Sequence, residues 1–128
     1  MNSRPPPPAT PDQSFSRRLR IRTAAEFDRI YKSRNFAADD VLVVNGMASD
    51  LPHPRLGLSV SKKVGNAVVR NRWKRLIREA FRLSRTSLPA GIDLVVRPQK
   101  GAEPELAAIA KSLIALAGRI ARRASRKD

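Results

Sequence analysis

The run Arg55-Leu-Gly-Leu-Ser-Val-Ser-Lys-Lys-Val-Gly-Asn-Ala-Val-Val-Arg-Asn-Arg-Trp-Lys-Arg-Leu-Ile-Arg-Glu-Ala-Phe81 decides the fold. Residues 55–61 alternate with period two, which predicts a strand with Leu56, Leu58 and Val60 on one face. Lys62 and Lys63 lead to Gly65, which permits a sharp turn, and to Asn66, whose side chain suits a helix N-cap. From Ala67 the apolar period becomes that of a helix, expected to run to about Arg85 with Val69, Trp73, Leu76, Ile77 and Ala80 along one face. Asn71, Lys74, Arg75, Arg78, Arg82 and Arg85 fall on the opposite side, with Arg70 and Arg72 towards the flanks.

Working outward, the turn Pro89 to Gly91 precedes a strand from Ile92 to Val96. Pro104 then opens a terminal helix with Leu106, Ile109, Leu113, Leu116 and Ile120 at core spacing. Upstream, Thr23 and Glu26 form a capping box for a helix from Ala24 to Ser33 that places Phe27, Ile30 and Tyr31 on one face. Val41 to Val44 reads as a strand, Asn45 and Gly46 as a bend, and Asp50 to Pro54 as a turn; an additional strand or bulge between Val41 and Ala48 stays open. The order α, β, β, α, β, α is that of an α+β sandwich. The prolines at 5–8 and 11 supply neither ladder donors nor a buried face, so residues 1–13 are expected to be a disordered proline-rich tail. One domain is expected over 14–122, followed by a basic C-terminal tail over 123–128.

The 128 residues hold 26 Lys and Arg against 11 Asp and Glu, a formal net charge of +15. Ten basic residues and one acid, Glu79, lie between Arg55 and Arg85, so the charge is concentrated on the long helix and its approach. A solvated helix face normally mixes Glu with Lys or Arg for i, i+4 pairing. An all-basic face repels itself unless phosphates lie against it, and Arg offers a planar fork for two phosphate oxygens. Nucleic acid is therefore the favoured partner. Binding to an anionic membrane surface is the weaker reading, because the helix's apolar face is needed for the core. The absence of cysteine fits a reducing, cytoplasmic compartment, and neither a signal peptide nor a membrane span is expected.

At this point the residues carry a resemblance. The run from Arg55 to Phe81, centred on Arg70-Asn71-Arg72, closely resembles the signature of the ribonuclease P protein family, and Arg20-Ile-Arg-Thr-Ala-Ala-Glu-Phe-Asp-Arg-Ile-Tyr31 is similar to that family's first helix. The resemblance covers roughly residues 17 to 120. It implies a single-domain α/β sandwich with a mixed sheet and a left-handed βαβ crossover, ribosomal protein S5 domain 2-like, against the usual handedness. It implies a non-catalytic protein subunit that binds the catalytic RNA and precursor tRNA while the RNA, with Mg²⁺ held mainly on it, removes the 5′ leader. Carried over by position, Lys62, Lys63, Arg70, Asn71, Arg72, Lys74, Arg75 and Arg78 would face RNA. Phe27 and Tyr31 match the family's central cleft, whose aromatic floor receives the single-stranded leader, and rings stack bases with little regard to identity. Val41 to Val44 departs from the family by carrying no aromatic, so fewer bases would stack. Without the resemblance, Phe27 and Tyr31 would read as core packing; Trp73 reads as core in either case.

No catalytic constellation of the chain's own is expected. The lone His53 sits between two prolines with no partner implied. Glu26 and Asp28 point apart on their helix, so they and Asp39 and Asp40 do not read as a metal cluster. Ser59-Val-Ser-Lys62 lacks the companion motifs of a serine hydrolase, and Gly57 to Lys63 lacks the second glycine of a P-loop. The competing class is a structural, ribosomal-type RNA-binding protein, which would need no cleft for a free strand.

Overall fold

The computed structural model describes residues 17–126, and the expected tail at 1–13 lies outside them. Local signals are followed closely in the first helix, α1 (Ala24–Lys32). Thr23 Oγ1 accepts from the Glu26 N–H at 3.1 Å and Glu26 Oε1 accepts from the Thr23 N–H at 3.2 Å, which completes the capping box. Three strands follow, β1 (Phe36–Ala38), β2 (Leu42–Ala48) and β3 (Arg55–Leu58), then α2 (Ala67–Ser84), β4 (Ile92–Pro98) and α3 (Leu106–Arg126). Asn66 caps α2 through its Oδ1, which accepts from the Val69 N–H at 3.0 Å.

The strands form one mixed sheet in the order β1-β2-β4-β3. β1 with β2 and β2 with β4 are antiparallel, whereas β3 and β4 are parallel neighbours joined through α2. One sheet face carries the main core: Leu42, Val44, Leu56, Leu94 and Val96 pack with Trp73, Ile77 and Phe81 of α2 and with Ile109, Leu113 and Leu116 of α3. The other face receives only α1, where Ile30 with Ile21 and the half-buried Phe27 covers Val95 and Met47. A nine-residue helix cannot cover a four-stranded sheet, so the rest of that face stays open.

The expected sandwich is therefore present, with five corrections to its elements. β3 stops at Leu58 instead of Ser61, because Ser61 already caps the 3-10 turn Lys62–Val64, and β4 continues past Val96 to Pro98 along its ladder with β2. β2 runs straight through Asn45 and Gly46 instead of bending there, because the missing side chain of Gly46 makes room for α3: a Cβ at this position would lie 2.6 Å from Ile120 Cγ2. The additional strand is β1, upstream of residues 41–48, and it is short and alanine-rich. α3 continues through Arg126, so the expected tail from 123 is helical as far as it is described; Ala121 and Ala124 favour helix and no breaker intervenes.

Candidate nucleic-acid interface

The basic side of α2 is set by its apolar side. Trp73, Ile77, Ala80 and Phe81 are buried, so helical geometry turns Asn71, Arg72, Arg75 and Arg78 out to solvent, with Arg70 and Lys74 half-buried beside them. Lys62 and Lys63 stand exposed on the 3-10 turn that precedes the helix, a turn held by Ser61 Oγ accepting from the Lys63 N–H at 3.3 Å. The single acid of this stretch, Glu79, is occupied: Arg82 grips it through Nε at 3.1 Å and Nη2 at 2.6 Å, which lowers the carboxyl's pKa. Among the described residues no ion pair or hydrogen bond engages the side chains of Arg72, Lys74, Arg75 or Arg78, and the Nε of Arg70 is buried without a partner. The expected cationic group is thus brought together as one surface.

Phe27 and Tyr31 stand on the other exposed feature, the open sheet face. The Phe27 ring lies over Gly57, where an added Cβ would approach its Cζ to 2.9 Å, so this glycine is what lets the ring sit down on β3. Tyr31, near the C-terminal end of α1, keeps 37 % of its surface in solvent. The two rings differ in how far they are buried. Phe27 packs on the small cluster under α1 and is also at its edge, whereas Tyr31 is largely outside it. Trp73 is core, 1 % exposed.

Beyond α1 the same face continues by the two-residue period of its strands, from Gly57 to Ser59, from Val95 to Arg97 and from Asn45 to Val43. A groove of about 540 Å³ opens there, lined by Val43, Ser59, Arg97 and Lys100 and reaching Ser61 and Lys63 at the foot of α2. None of its lining residues belongs to α1, and the one that belongs to α2 is Trp73. Sequence reasoning missed Arg97 and Lys100. The signal for Arg97 is its place two residues after Val95, masked when the strand is expected to stop at Val96.

The acidic side chains have other duties. Asp93, nearly buried, is held bidentately by Arg55, Nε to Oδ1 at 2.9 Å and Nη2 to Oδ2 at 2.7 Å, while Arg55 Nη1 reaches Glu26 Oε2 at 3.0 Å. The backbone N–H of Thr23 is the chief cause that brings Glu26 down to about 2, with Arg22 and Arg55 adding to it against desolvation. Burial pushes Asp39 up, but hydrogen bonds from Leu42, Ser112 and Val41 outweigh it and its pKa is lowered. These carboxylates do not fit a metal site, and among the described residues no group of three or more His, Cys, Asp or Glu could hold an ion. His53 Nδ1 meets the carbonyl oxygen of Pro54 at 3.1 Å. No helix in the described residues is long and apolar enough to cross a membrane.

Fold and surface together define a class: a small α+β protein whose crossover helix presents a cationic face next to an open, partly aromatic sheet. The family model for ribonuclease P matches residues 15–121, and the chain belongs to that family. Among its relatives, the ribonuclease P protein component of Salmonella paratyphi A is 45 % identical over 89 residues, 69 % of this chain and 74 % of that one. The component from Syntrophobacter fumaroxidans is 46 % identical over 85 residues, 66 % and 71 % of the two chains. The solved Staphylococcus aureus RNase P protein superposes with a TM-score of 0.69 at 38 % identity, covering 81 % of this chain and 95 % of that one. For the Thermotoga maritima protein the TM-score is 0.70 at 30 % identity, covering 78 % and 96 %.

Proposed function

We propose that this chain is the protein subunit of a bacterial ribonuclease P, binding the catalytic RNA and the 5′ leader of precursor tRNA so that the RNA can cut the leader off. The observation that carries the reading is that one small domain of the ribonuclease P family presents two separate surfaces, an exposed cationic helix face on α2 and an open sheet face edged by Phe27 and Tyr31. A strand stacked on the rings would be led along cationic groups towards Arg70, Asn71 and Arg72. A purely structural RNA-binder has no need of an open face for a free strand, and the family match adds to the case for the processing subunit over the ribosomal-type alternative.

In this reading the protein has no acid, base or nucleophile in the reaction. Lys62, Lys63, Arg72, Lys74, Arg75 and Arg78 lower the repulsion between two polyanions, and the sheet holds the leader in line, so the contribution is electrostatic and positional. In this reading the Mg²⁺ of the reaction is held mainly by the RNA. A cytoplasmic site of action follows from these partners.

Two variants separate the surfaces. Arg72→Ala with Arg75→Ala removes two exposed charges without touching the core, so assembly with the RNA or cleavage should weaken for every substrate, by roughly 1.5 to 3 kcal/mol for each charge-assisted hydrogen bond to phosphate that is removed. Tyr31→Ala should lose roughly 1 to 3 kcal/mol of stacking and weaken precursor binding while sparing mature tRNA. Equilibrium binding of both tRNAs to the reconstituted holoenzyme reads the difference. A folded Tyr31→Ala protein that discriminates as well as wild type would return Tyr31 to a packing role.

A further inference from the structure

α3 carries charge that its packing does not account for. Ile109, Leu113, Leu116 and Ile120 bury one side of the helix, and helical geometry turns Lys111, Ala115, Arg119 and Arg122 out to solvent on the other. No Asp or Glu occurs between Leu106 and Ser125. Among the described residues no ion pair or hydrogen bond engages the side chains of Lys111, Arg119 or Arg122. Arg119 feels the charge of Asp39, but that carboxylate is already taken up by Ser112 Oγ at 2.7 Å and by the N–H groups of Val41 at 2.8 Å and Leu42 at 3.0 Å.

Cations in the last turn of a helix are explained by its dipole, an effect that fades within that turn. This covers Arg123, which is in any case spent on the Phe36 carbonyl oxygen. It does not reach Arg119 or Lys111, which lie about two and about four turns before Arg126. The surface between the cations is also low. Only Ala115 and Gly118 lie along the line from Lys111 to Arg122, a stripe about 16 Å long. A Cβ at Gly118 would sit 3.4 Å from Arg122 Nη1, so this guanidinium lies back along the helix over the glycine.

Position decides which polyanion the stripe meets. α2 and α3 pack against each other on one face of the sheet, whereas α1 and the open leader face are on the other. Packed helix axes are about 8 to 10 Å apart, so a folded RNA docked on the cationic side of α2 reaches the outer side of α3 as well. We propose that Lys111, Arg119 and Arg122 form a second phosphate-docking surface for the catalytic RNA, which is thereby held by both helices of this sheet face. The proposal rests on the reading of the chain as a ribonuclease P subunit. Two grips at separate positions fix the orientation of the protein on the RNA, which a single helix leaves free to pivot.

The test measures affinity of the full chain for a transcribed bacterial catalytic RNA, without tRNA, over a range of salt. Lys111→Gln with Arg119→Gln and Arg122→Gln should lower that affinity at least about tenfold, the worth of one charge-assisted hydrogen bond, and reduce the salt slope by about 2 to 3. Lys111→Arg with Arg119→Lys and Arg122→Lys keeps the charge and should bind as wild type does. Arg17→Gln with Arg18→Gln and Arg29→Gln removes the same net charge from exposed positions on and before α1, and should lose clearly less. Every replaced side chain is exposed, so the melting curves of all three proteins should match that of wild type. If the α3 glutamine variant binds the RNA as wild type does while Arg72→Ala with Arg75→Ala weakens binding, the α3 surface is wrong and the reading of α2 stands. If neither weakens it, both fall. A loss matched by the Arg17, Arg18 and Arg29 variant, or one seen only when precursor tRNA is present, also overturns the α3 surface.

Discussion

Arg55 shows how one residue links the fold's local and long-range terms. Its guanidinium joins Asp93 of β4 to Glu26 of the α1 cap, so the helix that carries Phe27 and Tyr31 is tied to the sheet by charge as well as by Ile30. Asp93 is only 3 % exposed, and removing its partner leaves a buried carboxylate uncompensated. Arg55→Met should therefore cost roughly 3 to 5 kcal/mol in denaturant unfolding. Glu26 adds a pH signature. Its folded value is depressed to about 2 from 4.5, so the stability it contributes is present above pH 4.5 and is lost as pH falls towards 2. In a Glu26→Gln protein, melting midpoints followed between pH 6 and 2 should show a shallower acid decline than wild type; an identical decline would place the acid sensitivity elsewhere. The capping role of Glu26 was legible from Thr23 three residues before it. Its ion pair was not, because 29 residues of chain separate it from Arg55.

At the scale of elements, the two long helices, α1 and the strands at Arg55 and Ile92 followed from periodicity and caps, since each carries its own apolar stripe and its own punctuation. The failures have a common cause in tertiary packing. Gly46 reads locally as a strand breaker and is instead the point where α3 lies closest to β2. Gly46→Ala should destabilise the domain by roughly 1 to 3 kcal/mol through overpacking against Ile120, measurable by denaturant unfolding, and Ile120→Val in the same chain should recover part of that. β1 escaped notice because Phe36-Ala37-Ala38 has no β-branched residue and no alternation long enough to register; its pairing with β2 and its tether to Arg123 make it a strand. The apolar run of β4 ends at Val96, but the strand does not. The ladder continues to Pro98, opposite Leu42, and this concealed Arg97 and with it the groove. Thus the cationic helix is readable residue by residue, while the groove beside it depends on where strands end.

For the molecule as a whole, the governing quantity is a net charge of +15, concentrated around the crossover helix. Binding to the catalytic RNA should release counterions in proportion to the phosphates engaged. The slope of log affinity against log salt should be steep, corresponding to roughly five or more phosphates, and should flatten by about 1 to 2 in the Arg72→Ala, Arg75→Ala protein. A slope set by one or two ions would contradict phosphate docking along α2. The central claim, that this surface serves leader removal, is met most directly by reconstitution: purified chain, transcribed bacterial catalytic RNA and a leader-bearing tRNA, at a Mg²⁺ concentration too low for the RNA alone. The account predicts a mature 5′ end that appears only when protein and RNA are both present. Binding of the RNA without any acceleration of cleavage would contradict it and leave a structural RNA-binding protein in its place.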